Sequence, residues 1–232
     1  MKIQMEKRSG LTLIEVLMVV AALMVLAAIL LPALLSRRGS LGGTRATRVQ
    51  CIMNLKQVGL SFRVWEGDNN DTYPMFVPQT NGGSMEFTNG ANAWKHFQVM
   101  SNELSTPKIL FCPVESDANR HPANTFGGVP GPDMFLSNSN VSYVVGIVSN
   151  ELNPQLILSG DHNLTNGAAI KNGMLELTRS QPIGWTREMH NEVGNLALAD
   201  GSVQQINSMG LQSAVASSGA ATNLIQMPVL GP

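Results

Sequence analysis

The chain is 232 residues long, and its 15 basic and 16 acidic side chains make up 13% of it, against roughly 25% in ordinary soluble domains. A nucleic-acid-binding protein gathers a basic surplus on one face, and a disordered polyelectrolyte combines low hydrophobicity with high net charge. A net charge of −1 and a hydrophobic content of 44% exclude both classes, and the length allows one domain or one domain with an appendage.

The apolar residues are unevenly spread. Between Leu11 and Leu35, 22 of 25 residues are apolar and Glu15 is the sole charge, while all twelve aromatic residues fall between Phe62 and Trp185. The pattern is an aliphatic rod joined to a polar head rich in Asn, Gly and Ser. Ahead of the rod, Met1–Gly10 carries Lys2, Lys7 and Arg8 against Glu6. As a helix, residues 16–35 extend roughly 30 Å, the thickness of a bilayer core. Basic residues in front of a first apolar segment keep that end in the cytoplasm, so the sequence predicts a single transmembrane helix with everything after Leu35 exported. A cleavable secretory signal has a shorter core followed by its small-residue cleavage site, whereas Gly10 precedes this core. A plain signal anchor leaves Glu15 unexplained, because a carboxylate in a membrane helix marks a partner or a function.

Gly10-Leu11-Thr12-Leu13-Ile14-Glu15 resembles the cleavage and methylation site of type IV prepilins and pseudopilins. The resemblance implies that a prepilin peptidase cuts after Gly10 and methylates the new amino terminus at Leu11. It implies that Glu15 is the glutamate used in assembly and that Pro32 is the helix-kinking proline of the family. Leu11 stands where the family often has phenylalanine. Physical chemistry gives these roles a cause. In apolar surroundings Glu15 needs a positive partner, and cleavage creates one at a neighbouring subunit's Leu11 ammonium; leaving such a charge unpaired costs several kcal/mol. Pro32 removes one backbone N–H and strains the preceding turn.

Ser36–Thr44 holds Gly39, Gly42 and Gly43, each costing about 1 kcal/mol relative to Ala in a helix, so a weak or hinged section is expected there. Helix resumes near Thr44: Cys51, Leu55, Val58, Phe62 and Trp65 step by four, three, four and three onto one face. It should pack on the head's sheet and end near Gly67, before Asp68-Asn69-Asn70-Asp71 and Tyr73-Pro74. The best strand candidates are Lys108–Phe111, Val141–Val148, Gln155–Ser159, Gly173–Leu177 and Asn195–Ala199. Asp200-Gly201 reads as the two-residue turn of a hairpin that sets Leu198 opposite Val203. Residues 79–106 and 114–140 read as long loops, and a last helix is expected over Ser208–Ser217.

Cys51-x-x-Asn54-Leu55-Lys56-Gln57, Tyr73-Pro74, Phe111-Cys112-Pro113, and His190 followed after nine residues by Asp200-Gly201 resemble a broad bacterial group of pilin-like proteins with a C-terminal His-x9-Asp-Gly signature. The two resemblances imply an α+β fold, a pilin-like lollipop whose long N-terminal transmembrane helix packs on an antiparallel β-sheet head with long loops. They divide the chain into a leader (1–10), a transmembrane and filament-core helix (11–35), a linker with the second half of the helix (36–66) and an exported β-rich head (67–232). The implied place is the bacterial inner membrane, single-pass, with a cytoplasmic N-terminus and a periplasmic head or an extracellular filament.

Two cysteines in an exported head suggest a Cys51–Cys112 disulfide, with two separate buried thiols as the alternative. A zinc site needs further ligands at suitable spacing, and neither cysteine has a histidine close in sequence. Asp161-His162-Asn163, His190 and Asp200 invite a metal or hydrolase reading; turn chemistry explains Asp161 and Asp200, and His190 can tie the loop Thr186–Gly194 to the hairpin. Calcium is a separate candidate, because related major pseudopilins bind it in a C-terminal loop. Asp68, Asn69, Asn70 and Asp71 supply oxygen ligands without EF-hand spacing, and such clusters also make ordinary turns. No other cofactor is expected, and no nucleophile elbow or phosphate loop is present in the sequence. The function expected is therefore a non-enzymatic pseudopilin of a type II secretion or type IV pilus-like filament. Its partners are prepilin peptidase, other pilin-like subunits and the inner membrane, not nucleic acid. A tethered or surface-displayed binding module that uses the same signal without building a filament is the alternative.

Overall fold

The computed structural model describes residues 13–36 and 41–231, with side chains described for 13–28 and 46–231. The chain divides into two units, Met1–Ala46 and Thr47–Pro232. The first contains helix α1, Leu13–Ser36, with Glu15 in its first turn. From Leu13 to Ala28 every described side chain is exposed.

Among the described residues no helix is long and apolar enough to cross a membrane. The expected membrane-spanning helix over 11–35 is thereby corrected, and with it the lollipop built on that helix and the single-pass inner-membrane placement with a cytoplasmic N-terminus and a periplasmic head. Gly10, Leu11 and Gly39 lie outside the described residues. Pro32 falls within α1, its side chain outside the description, and Gly42 and Gly43 fall within helix α2, Leu41–Asp68.

The second unit is α+β. Its main sheet has six strands, all antiparallel to their neighbours, in the order β4-β8-β1-β2-β6-β7. Here β1 is Tyr143–Gly146, β2 Ile157–Asp161, β4 Met174–Thr178, β6 Val193–Leu198, β7 Val203–Asn207 and β8 Thr222–Gln226. A two-stranded ribbon pairs β3, Leu164–Thr165, with β5, Gly184–Trp185. The short helices α3 (Ala93–Val99) and α4 (Ser101–Leu104) interrupt the loop over 79–106, and α5 occupies Ser208–Ser217.

Period-two alternation buries both faces of the sheet. Tyr143, Val145, Leu158 and Ala197 face Cys51, Leu55, Val58 and Phe62 of α2 in one core. Val144, Ile157, Leu196, Leu198 and Ile225 face Leu211 and Val215 of α5 and Trp185 in the other. The four-three stepping of α2 thus becomes a buried face, and Phe62 meets Tyr73 and Phe97 edge-on at 5.9 and 6.1 Å between ring centroids. Two local expectations change. Lys108–Phe111 is a 3-10 turn at Pro107–Leu110, not a strand, because Thr106 caps it by accepting from the Lys108 N–H and Pro107 fixes its start. The β6–β7 hairpin pairs Ala197, not Leu198, with Val203. Leu198 N–H donates to Ser202 O at 2.9 Å and Gly201 sits at φ 82. The loop therefore has three residues, Ala199 to Gly201, with glycine at the left-handed position that such a loop requires.

One buried contact ties α3 to the end of the interior strand β8. His96 Nδ1 accepts from Ser84 Oγ at 2.7 Å, and Nε2–H donates to Gln226 Oε1 at 2.6 Å; Gln226 spends its amide protons on Phe87 O and Gly90 O. This assigns the neutral tautomer, and burial pushes the His96 pKa from 6.5 down to about 4, against the opposing pull of the Gln226 bond. The unfolded chain takes up this proton below pH 6.5 and the folded chain refuses it until about pH 4. Stability should therefore fall as the pH drops through that window, by about 3 kcal/mol for this group at most. Thermal unfolding at closely spaced pH values checks this: His96→Gln should flatten that part of the profile relative to the parent chain.

Candidate functional site

The signature residues found in the sequence do not converge on one point. Asp200 lies in the exposed hairpin loop, where its Oδ1 accepts from the Ser202 N–H at 2.8 Å. His190 is buried at the other end of β6. Cys51 and Cys112 form a disulfide with Cα atoms 5.2 Å apart and a sequence separation of 61. By chain entropy, a loop of that size stabilises the fold by about 4 kcal/mol. One helical turn on, Asn54 Nδ2 donates to Phe111 O at 3.2 Å, so the Cys-x-x-Asn spacing grips the same segment twice. At the other end of α2, Arg63 Nη1 and Tyr73 Oη both donate to Ala199 O, at 3.0 and 3.2 Å.

Asp68–Asp71 finishes α2. Asn69 N–H and Asp71 N–H donate to Glu66 O, Asn69 Nδ2 donates to Trp65 O, and Asn70 and Asp71 take φ of 55 and 53. Short polar side chains tolerate this left-handed geometry. The run therefore serves as a helix terminus, which accounts for its composition without an ion.

The polar centre of the head lies beside the disulfide. His190 Nε2 is 3.5 Å from Cys112 Sγ, 3.2 Å from Asn195 Nδ2 and 3.3 Å from Asp161 Oδ2. Asp161 ends β2, and Asn195 stands on β6 one step beyond the Gly160–Leu196 pair. Strand pairing thus brings them together, and Asp161 Oδ2 accepts from Asn195 N at 2.7 Å and from Nδ2 at 2.9 Å. His190 arrives on a tight turn in which Met189, Asn191 and Glu192 have φ of 58, 57 and 64. Non-glycine residues held in this region cost of order 1–3 kcal/mol each and persist where the surroundings over-determine them. An amide nitrogen can only donate, so Nε2 of His190 accepts from Asn195 and the ring proton sits on Nδ1. Burial pushes the Asp161 carboxyl up to about 7, against the lowering effect of Asn195. Burial also pushes His190 down to about 4, helped by the charge of Arg48. Their contact at neutral pH is accordingly not an ion pair.

Asn163 anchors the same turn: its Nδ2 donates to Thr186 O, Glu188 O and Val193 O at 3.2, 3.0 and 3.1 Å. Beside it, Glu115 Oε2 accepts from Ser142 Oγ at 2.8 Å and from His162 Nε2 at 2.9 Å. Burial raises the Glu115 pKa, but the His162 bond and charge, with Ser142 and the Asp117 N–H, outweigh it and hold the carboxyl down at about 2. Arg120, almost buried, donates to Asn138 O, Val141 O and Pro228 O, stapling the 114–140 segment and the C-terminal tail to β1. Arg120, His162, Asn163, Thr186 and Glu188 line one side of a cavity of about 260 Å³ whose other side is apolar.

Sequence reasoning considered His162 and Asn163 only as part of an Asp-His-Asn run and passed over Glu115, Arg120 and Asn195. The one available signal was scarcity: in a head this poor in charge, a carboxylate and a guanidinium inside a long loop mark internal partners. The absence of a histidine near either cysteine holds along the chain and fails in space. No family model, curated protein or solved structure matches this chain.

Asn163→Ala strands three carbonyls, and a buried unsatisfied group costs roughly 1–3 kcal/mol. Thermal denaturation should show a fall of several degrees, and hydrogen exchange should show loosening of residues 186–193. Glu115, with its folded pKa depressed from 4.5 to about 2, contributes stability above pH 4.5 that is lost as the pH falls toward 2. Glu115→Gln should abolish that acid-limb loss in a urea titration at each pH.

Proposed function

We propose that this chain is a non-enzymatic pilin-like subunit of a type II secretion or type IV pilus-like filament, processed after Gly10 and N-methylated at Leu11. The observation that carries the reading is the apolar surface of α1. Eleven large aliphatic side chains from Leu13 to Leu26 are 45–86% exposed, and a helix that is apolar all round belongs inside an assembly. A second exposed stripe supports it: Val49, Met53, Leu60 and Val64 lie on α2 away from the buried face. In the assembly, α1 packs against copies of itself or of related subunits, and Glu15 meets a neighbour's Leu11 ammonium, which keeps its charge on methylation. The pair fixes axial register, since breaking one buried partnership costs about 3–5 kcal/mol. The disulfide-braced head is then displayed on the outside, where its loops choose neighbours.

Co-expression of the full chain with an active prepilin peptidase tests this. Intact-mass measurement should give a chain that has lost residues 1–10 and gained one methyl group; a chain that keeps its leader, beside a control prepilin that is cut, overturns the reading. Glu15→Ala should be cut normally yet lose most of the chain-to-chain cross-links formed through α1. Unchanged cross-linking would remove Glu15 from assembly.

A further inference from the structure

The disulfide is not insulated from the polar centre. The ligand atoms of Cys51, Cys112 and His190 all lie within 4.8 Å of one another, and all three residues are buried. His190 Nε2 accepts from Asn195 Nδ2 at 3.2 Å and stands 3.5 Å from Cys112 Sγ. The turn with three left-handed residues thus holds an imidazole nitrogen beside two sulfurs.

The spacing fits one cation in particular. In a tetrahedral zinc shell with Zn–S near 2.3 Å and Zn–N near 2.0–2.1 Å, sulfur and nitrogen ligands stand about 3.5 Å apart. This is the separation of His190 Nε2 from Cys112 Sγ. Two cysteine thiolates and one imidazole are donors of the kind that zinc takes. In the oxidised chain the two sulfurs are committed to each other.

We propose that the reduced chain binds one Zn²⁺ through the Cys51 and Cys112 thiolates and His190 Nε2. Disulfide and zinc are then alternative braces at one point, both tying α2 to the segment after Leu110. The chemistry balances with a phosphine as reductant. The phosphine gives its lone pair to one sulfur, and the S–S electron pair leaves on the other as thiolate; water then supplies the oxygen of the phosphine oxide and the two protons of the thiols. Zinc binding releases both protons to solvent. Oxidised glutathione reverses the change: it accepts two electrons and two protons to become two thiols, the Cys51–Cys112 bond forms, and zinc leaves.

The test uses the full chain, refolded without oxygen after phosphine reduction in the presence of Co²⁺ as a spectroscopic stand-in. One Co²⁺ per chain is expected, with thiolate-to-cobalt charge transfer and the intense visible bands of tetrahedral cobalt, both abolished by Zn²⁺. The oxidised chain should show neither, and oxidised glutathione should discharge the metal. His190→Gln should weaken uptake at least about tenfold, the scale on which even supporting groups act at zinc sites. If a variant fails to refold alone, reduction of the folded parent with Zn²⁺ present, followed by native mass measurement, gives the same answer. Absence of metal in the reduced parent, equal uptake by the oxidised chain, or uptake unaffected by His190→Gln overturns the proposal. None of these outcomes depends on whether the leader is cut or a filament forms.

Discussion

Everything in the head hangs on how α2 is held against the sheet. A lone amphipathic helix gains little from its own hydrogen bonds; packing against Tyr143, Val145 and Leu158 keeps it in place. That packing is fixed at two ends. Near the start, Cys51 and Asn54 grip residues 111 and 112. Near the finish, Arg63 and Tyr73 converge on the carbonyl of Ala199. With both ends pinned, the helix can neither slide nor roll. The loops over 79–106 and 114–140 then have a fixed surface to fold upon.

Those loops are held with little charge. Asn54, Asn138, Asn163 and Gln226 donate to backbone carbonyls across long sequence distances, and Asn195 donates to Asp161 Oδ2. Amide side chains both donate and accept without the desolvation cost of an ion. The low charge content is thus a property of how the head is stapled. The few buried charges are placed where geometry repays them: Glu115 gathers four donors, and Arg120 reaches three carbonyls. The His190 turn stands apart, because three left-handed residues aim one ring at a disulfide. Strain of that kind survives only where surrounding bonds enforce it.

The N-terminal unit obeys a different balance. Where the head buries its apolar residues, α1 exposes them, and Glu15 interrupts the surface in the first turn. The filament proposed above would hide those aliphatic side chains among like helices. The disulfide suits an oxidising compartment.

Patterns governed by near neighbours were legible in the sequence. The apolar face of α2 follows from i, i+4 geometry, the limits of α5 fall at Ser208 and Ser217, and β1, β2, β4 and β6 fall within or overlap their expected runs. Local chemistry was also misread, at Pro107–Leu110 and in the Ala199–Gly201 loop, because a strand and a 3-10 turn share short apolar runs and because loop length is set by pairing register. The grouping of residues 51, 112, 161, 190 and 195 was invisible. No local rule relates positions so far apart, and only the antiparallel order of β1, β2 and β6, with α2 pressed on one face, carries them to one buried point. The sequence by itself determined which segments have a side to hide; the tertiary structure decided what each would meet there, because burial is a property of the whole chain's packing.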